Sequence, residues 1–471
     1  MKILKRLYLL PLLMLFSFPA AGQRAFDNNL VNSSDELGDV YLDMPLITLP
    51  AQAQAYKTTG GFFPSYMNPG LENSLSYSAD VYTAAHFGIK KAINVKNSRF
   101  WQIFLQKMAI GAFDMAWMQM PLGVSWLHEE YHRGVMTQYG INSFNEVLLF
   151  KLGSSTIAVS HETDEDMAML CDEHHPDFVR LMSAGHEGVV DLNRTLQSNE
   201  FFYRQNLDNE ILYWMHSMQN LLYLVTCATG SGDKAMQERN KVETSVEVRD
   251  FTGMDMNAWI HALCNPDLPY SARGAHPSGV GINRYIMYDM IPEEGQACLT
   301  KQMWLDIFNF ISPMMFGFER FRLGKGDYYG NFAFRHYINS FGSDVALDLY
   351  FQAPQHKLNL YSTIHTYHNA GNHFGGLELG LIDLPLLNDR MQVGGVVMGW
   401  VQPKDMLFKT AEGTFGGLVK ARVNYHGRVV SPYAELGWKS SGWVAGNANL
   451  GSGPFCRAGL RWQIGRKKIN K

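Results

Sequence analysis

The chain has 471 residues, of which 46% are hydrophobic, 13% aromatic and only 18% charged. Charge that sparse excludes a disordered or fibrous protein, and 40 basic against 44 acidic residues leave no field that would recruit nucleic acid. The length accommodates two or three domains. A composition so rich in rings then belongs to large cores or to surface that faces lipid.

Lys2, Lys5 and Arg6 precede an apolar run from Leu7 to Phe16 and the small residues Ala20 and Gly22. This is the pattern of a signal peptide over residues 1–22, with a mature chain from about Gln23. The run is too short to span a bilayer as a helix, and no cysteine sits at the cleavage point to accept lipid. The five cysteines contain no Cys-x-x-Cys pair and do not make a disulfide framework, although an exported chain could hold one bridge, Cys264 to Cys298. Residues 23–95, punctuated by Asn, Ser, Gly and Pro, read as an extended lead-in of short strands and turns.

Residues 96–325 read as a helical domain. Phe100–Tyr139, Asn209–Cys227 and Gln302–Phe318 carry apolar residues at i, i+3 and i+4. Lys107, Asp114, His216 and Asp306 interrupt these stretches, which predicts buried helices rather than membrane-spanning ones. Over 326–466 the period changes to two: Val419, Ala421, Val423 and Tyr425 alternate with Lys420, Arg422 and Asn424. Eight such segments predict an antiparallel β-barrel of about eight strands, the size of the smallest outer-membrane barrels, with a filled lumen. Asp348, Glu378, Lys420, Arg422, Glu435, Lys439, Arg457 and Arg461 are expected to point inward and pair. Tyr328, Tyr329, Tyr367, Trp400, Tyr433 and Trp443, near strand ends, are expected to form interfacial girdles. Residues 467–471 are a basic tail.

The chemistry sits in the helical stretch. Trp126–His132 contains His-Glu-x-x-His. On a helix, i and i+4 share a face, so His128 and His132 can bind one metal ion, and the Glu129 carboxylate can take a proton from water there. A catalytic site needs a third ligand. Ala184–Asp191 offers Glu-x-x-x-Asp, so Glu187 is the candidate third ligand and Asp191 a carboxylate that orients a histidine. His161-Glu162 and Cys171–His175 read as a solvated loop over the cleft. In the glycine-rich stretch 273–284, His276 or Arg284 could stabilise an oxyanion.

The two motifs together resemble those of the gluzincin metallopeptidases, especially the group that includes the CAAX prenyl protease. There too a Glu-x-x-x-Asp helix follows the His-Glu-x-x-His helix, here with Glu187 55 positions beyond His132. The resemblance implies a zincin-like helical domain, Zn2+ bound by His128, His132 and Glu187, Glu129 as general base, and Asp191 as the orienting carboxylate. Glu130 and Arg133 depart from the uncharged residues usual in the family; an exposed helix face or an i, i+3 pair between them would accommodate them. The expectation is an α+β protein: an exported zinc metalloendopeptidase acting on polypeptides. Its barrel would touch outer-membrane lipid in a Gram-negative-type cell, with the helical domain facing the periplasm or the surface. The alternatives are a non-enzymatic outer-membrane protein with a structural metal site, and a metal-dependent hydrolase of lipid or peptidoglycan.

Overall fold

A computed structural model describes residues 37–51, 70–95, 98–147, 157–425, 427 and 429–464; the expected signal peptide and basic tail lie outside them. Strand β1 (Val40–Leu49) precedes helices α1 (Leu71–Ala92), α2 (Arg99–Trp117) and α3 (Val124–Gln138). A small antiparallel pair, β2 (Phe144–Val147) and β3 (Ile157–Ser160), leads to α4 (Asp164–Glu173) and the 29-residue α5 (His175–Tyr203). Helices α6 (Glu210–Ala228), α7 (Asp233–Val242), α8 (Asp255–Cys264) and α9 (Glu293–Leu305) follow. The chain then forms β4 (Phe321–Arg322), β5 (Tyr329–Asn339), β6 (Gly342–Ala353), β7 (Leu358–His368) and β8 (His373–Leu386). It ends in β9 (Met391–Pro403), β10 (Gly413–Tyr425), β11 (Val430–Lys439) and β12 (Gly453–Ile464).

The fold class is α+β. Strands β4 to β12 and β1 form one antiparallel sheet in the order β1-β12-β11-β10-β9-β8-β7-β6-β5-β4. This differs from the expected closed barrel of about eight strands: the sheet has ten, and among the described residues β1 and β4 are its open edges. Of the two strands beyond eight, β1 comes from the lead-in and the two-residue β4 precedes residue 326. In the lead-in the expectation of strands and turns also missed α1, whose Asp80 accepts the backbone N–H of Asp43 at 3.0 Å and covers the β1 edge. The predicted helix over 100–139 is two helices. They break at Met118–Gly123, where Leu122 has φ 66° and a side chain at Gly123 would collide with the Trp117 carbonyl. All five cysteines are free, so the one bridge the sequence allowed, Cys264 to Cys298, is not formed.

Neighbouring strands lie about 4.8 Å apart, so β8 and β12, four strands apart, would be about 19 Å apart in a flat sheet. Yet Arg461 on β12 donates to Asp383 on β8 at 2.6 Å, and Arg422 on β10 reaches Asp43 on β1 at 3.0 Å. The sheet is therefore strongly curled, with these charges on its concave side. A bulge between Leu381 and Leu384 contributes, giving Asp383 a φ of 47°. Helix α5, about 44 Å long at 1.5 Å per residue, runs along the hollow. Its Arg194 meets Thr363 (2.9 Å), Glu378 (3.2 Å) and Asp348 (3.4 Å) on three successive strands.

The inward charges are buried and bonded. Glu435 pairs with Arg457 and Lys420, Asp348 with Arg335, and Lys439 donates to the carbonyls of Gly442 and Gly451. The opposite face is apolar and open: Val397 is 60% and Leu436 67% exposed, and Leu377, Leu379, Val419 and Trp438 are exposed with them. Four of the six residues named for the expected girdle, Tyr367, Trp400, Tyr433 and Trp443, are buried instead, whereas Tyr328 is exposed. Helix α2 shows the same inversion, against the expectation of a buried helix. It buries Gln106, Ile110 and Asp114, with Asp114 2.6 Å from His86 Nε2, and leaves Phe100, Trp101, Leu105 and Met108 exposed.

Removing one partner of a buried charge cluster leaves the others uncompensated. Arg461→Met strips donors from both Asp43 and Asp383. It should destabilise the protein by about 3–5 kcal/mol in denaturant titrations of the purified protein.

Candidate metal centre

Two helices, α3 and α5, cross at the centre, and a third, α8, completes it. Helix α3 carries His128, Tyr131 and His132 on one face, and this face crosses α5 at Gly185 and Gly188. A Cβ at Gly185 would collide with both imidazoles, and one at Gly188 with the Tyr131 ring. Only glycine at these positions lets the helices approach closely enough to bury His132 completely while His128 keeps 12% exposure.

The third group is Asp255, in the first turn of α8. Its Oδ2 lies 2.9 Å from His128 Nε2 and 3.4 Å from His132 Nε2, and its backbone N–H donates to the Tyr223 hydroxyl at 2.8 Å. His132 Nδ1 is 2.6 Å from the Leu181 carbonyl, which can only accept; the neutral imidazole therefore carries its proton on Nδ1 and presents a lone pair at Nε2. That lone pair faces a carboxylate oxygen, and His132 Nε2 is buried without a hydrogen-bond partner. Two lone pairs face each other stably only with positive charge between them. Ligands about 2.0–2.1 Å from a tetrahedral ion lie about 3.3 Å apart, close to the spacings seen. Among the described residues two buried groups could hold a metal ion: this one, and His186 with Asp306 and His336.

With no ion between them, protonated imidazoles supply the positive charge that Asp255 meets. Burial raises the pKa of the Asp255 carboxyl, but His132 and His128 outweigh it and hold the group well below the carboxylate range. Burial pushes His128 down, favouring the neutral form that ligates metal. Glu129, half-buried beside the pair, is pushed well above its usual value by burial and then by the charges of Asp255 and Asp250.

The structure does not bring Glu187 to the pair. At 100° per residue it points about 200° away from Gly185, toward the β11–β12 connection. There it accepts from Arg180 (2.8 Å), Trp443 Nε1 (3.1 Å) and Gly446 N (2.8 Å). Asp191 shares that side and touches neither histidine. It accepts from Tyr131 and Tyr337 at 3.1 Å each, so it braces the histidine helix through Tyr131. Glu130 and Arg133 pair at 2.5 Å but are buried rather than exposed, with Asn145 and Ser143 completing their hydrogen bonds. Arg284 is locked to Glu162 and Asp164, and His276 Nδ1 bonds Ser278 Oγ; neither meets the imidazole pair as an oxyanion stabiliser would. The segment expected as a solvated loop is mostly α4, and Glu162 beside it is fully buried.

Asp255 escaped the sequence reading because an aspartate in a first helical turn is commonplace there, where it suits the helix dipole. No family model, no curated protein and no solved structure matches this chain.

The two candidate third ligands make opposite predictions. Asp255→Asn should weaken zinc binding by more than about 100-fold, beyond what changes to supporting residues cost, whereas Glu187→Gln should leave it unchanged. Equilibrium dialysis of the folded proteins against buffered zinc reads the difference.

Proposed function

We propose that the chain is an exported zinc metallopeptidase whose curved sheet anchors it at an outer membrane. The observation that carries the enzymatic reading is the His132 lone pair facing the Asp255 carboxylate, with Glu129 alongside and the His128 edge open to solvent. In this reading the helix pair resembles the gluzincin arrangement, with an aspartate from a third helix in place of the glutamate.

His128, His132 and Asp255 would hold the ion. When bound, zinc supplies Lewis acidity and lowers the pKa of water. Leu181 fixes the tautomer of His132, and Tyr131, held by Asp191, fixes the helix on which both histidines stand. Positive charge at the pair offsets Asp255 and returns Glu129 toward its ionised form. The Glu129 carboxylate then accepts a proton from the attacking water and passes it to the leaving amine nitrogen. The exclusion of solvent from His132 strengthens each of these interactions.

The anchor rests on polarity. Charges are buried inside the curl while aliphatic and aromatic side chains cover its outer face, and α2 repeats the pattern. Contiguous apolar surface of this kind is costly in water and suits hydrocarbon. A shallow groove of about 600 Å³ on the sheet, bordered by Leu349, Leu379 and Val397, would seat an acyl chain. Among the described residues no helix is long and apolar enough to cross a membrane.

Glu129→Gln should lower peptide hydrolysis by about 10²–10⁴-fold while zinc content is retained; full activity in that variant would overturn the assignment of the base. For the anchor, Val397→Arg should weaken folding into lipid vesicles by up to about 2–4 kcal/mol. A variant that folds into bilayers as well as wild type would sink the lipid contact.

A further inference from the structure

The second cluster of ligand-type atoms lies where the helices meet the sheet. His186 on α5, Asp306 in the 3-10 turn Asp306–Phe310 and His336 on β5 are fully buried, and one ligand atom from each lies within 4.8 Å of the others. His186 Nε2 is 3.0 Å and His336 Nδ1 3.2 Å from Asp306 Oδ1. These spacings again match the roughly 3.3 Å between ligands of one tetrahedral ion.

Proton accounting exposes the same conflict as at the first centre. His336 Nε2 lies 2.9 Å from Gln302 Oε1; with the amide in this orientation a neutral ring carries its proton on Nε2 and turns the Nδ1 lone pair toward Asp306. Asp306 Oδ2 and His186 Nδ1 are buried without hydrogen-bond partners, and the partners of Asp306 Oδ1 include neither lysine nor arginine. An ionised carboxylate buried this way calls for a cation. The cluster is also built rigidly. Asn309 donates to Asp306 Oδ1 at 2.8 Å and accepts the His336 backbone N–H at 2.9 Å, joining the turn to the strand.

We propose that His186, Asp306 and His336 form a second, solvent-closed site for a divalent metal of the zinc class, which clamps α5 to β5. Imidazole and carboxylate ligands suit such an ion; the three side chains leave its fourth position to a buried water or to the second Asp306 oxygen, and complete burial sets the site apart from a catalytic one. His186 directly follows Gly185, so the clamp fixes α5 at the point where it makes room for the first centre. The proposal stands independently of catalysis.

The test is the metal content of full-length protein stripped with chelator, reloaded with zinc and desalted. Wild type should hold two ions per chain, and the His128→Ala/His132→Ala variant should keep one. Adding His336→Gln to that variant should remove it. No ion in the double variant overturns the proposal, and an ion that survives His336→Gln overturns the ligand assignment. A readout with His336 intact guards against misfolding of the triple variant: cobalt-loaded double variant should show the intense visible absorption of a tetrahedral site, and its absence also overturns the proposal. A wild type with two ions and no peptidase activity would defeat the enzymatic reading and leave this site in place.

Discussion

A side chain at residue 185 would strike both imidazoles of the His-Glu-x-x-His helix, and one at residue 188 would strike Tyr131 between them. The close crossing of α3 and α5 depends on those two missing side chains, and much else depends on the crossing. It brings the Leu181 carbonyl to His132 Nδ1 and the Asp191 carboxylate to Tyr131, so one helix sets both the tautomer and the position of the other. The remaining faces of α5 then have no choice of partner. Glu187 meets the β11–β12 connection, and Arg194 and Gln197 meet the sheet.

A helix so charged can be buried only in a cavity that supplies opposite charge. The curled sheet provides one. Its alternate residues place Asp348, Glu378, Arg335 and Arg461 on the concave side, where they pair with α5, with β1 and with one another. The same alternation leaves the aliphatic residues on the outer side, where nothing among the described residues covers them. The low charge of the whole sequence thus conceals a sheet whose charges are nearly all inside.

Some of this was legible in the sequence and some was not. His128 and His132 were, because i, i+4 spacing alone places them on one face of a helix. So were the inward charges such as Asp348 and Arg461, because a strand's side chains alternate strictly. The sharing of a side by Glu187 and Asp191 was also readable, but not what that side faces. The glycines that set the answer look like weak helix formers until a neighbouring helix is seen to need their space. Asp255, Asp306 and His336 reach their clusters through long-range packing, which local spacing does not encode. Tyr367, Trp400 and Trp443 were misplaced because position near a strand end does not fix which face a ring occupies. Strand β1 joins β12 across most of the chain, so neither the size nor the open order of the sheet could be counted from 326–466 alone.

The role of α3, α5 and α8 as a single metal-binding unit is tested most directly by anomalous diffraction at the zinc edge from crystals of zinc-loaded protein. The arrangement predicts a peak about 2.0–2.2 Å from His128 Nε2, His132 Nε2 and an oxygen of Asp255. Zinc-loaded crystals with no peak there, or with the ion on Glu187 instead, would contradict it.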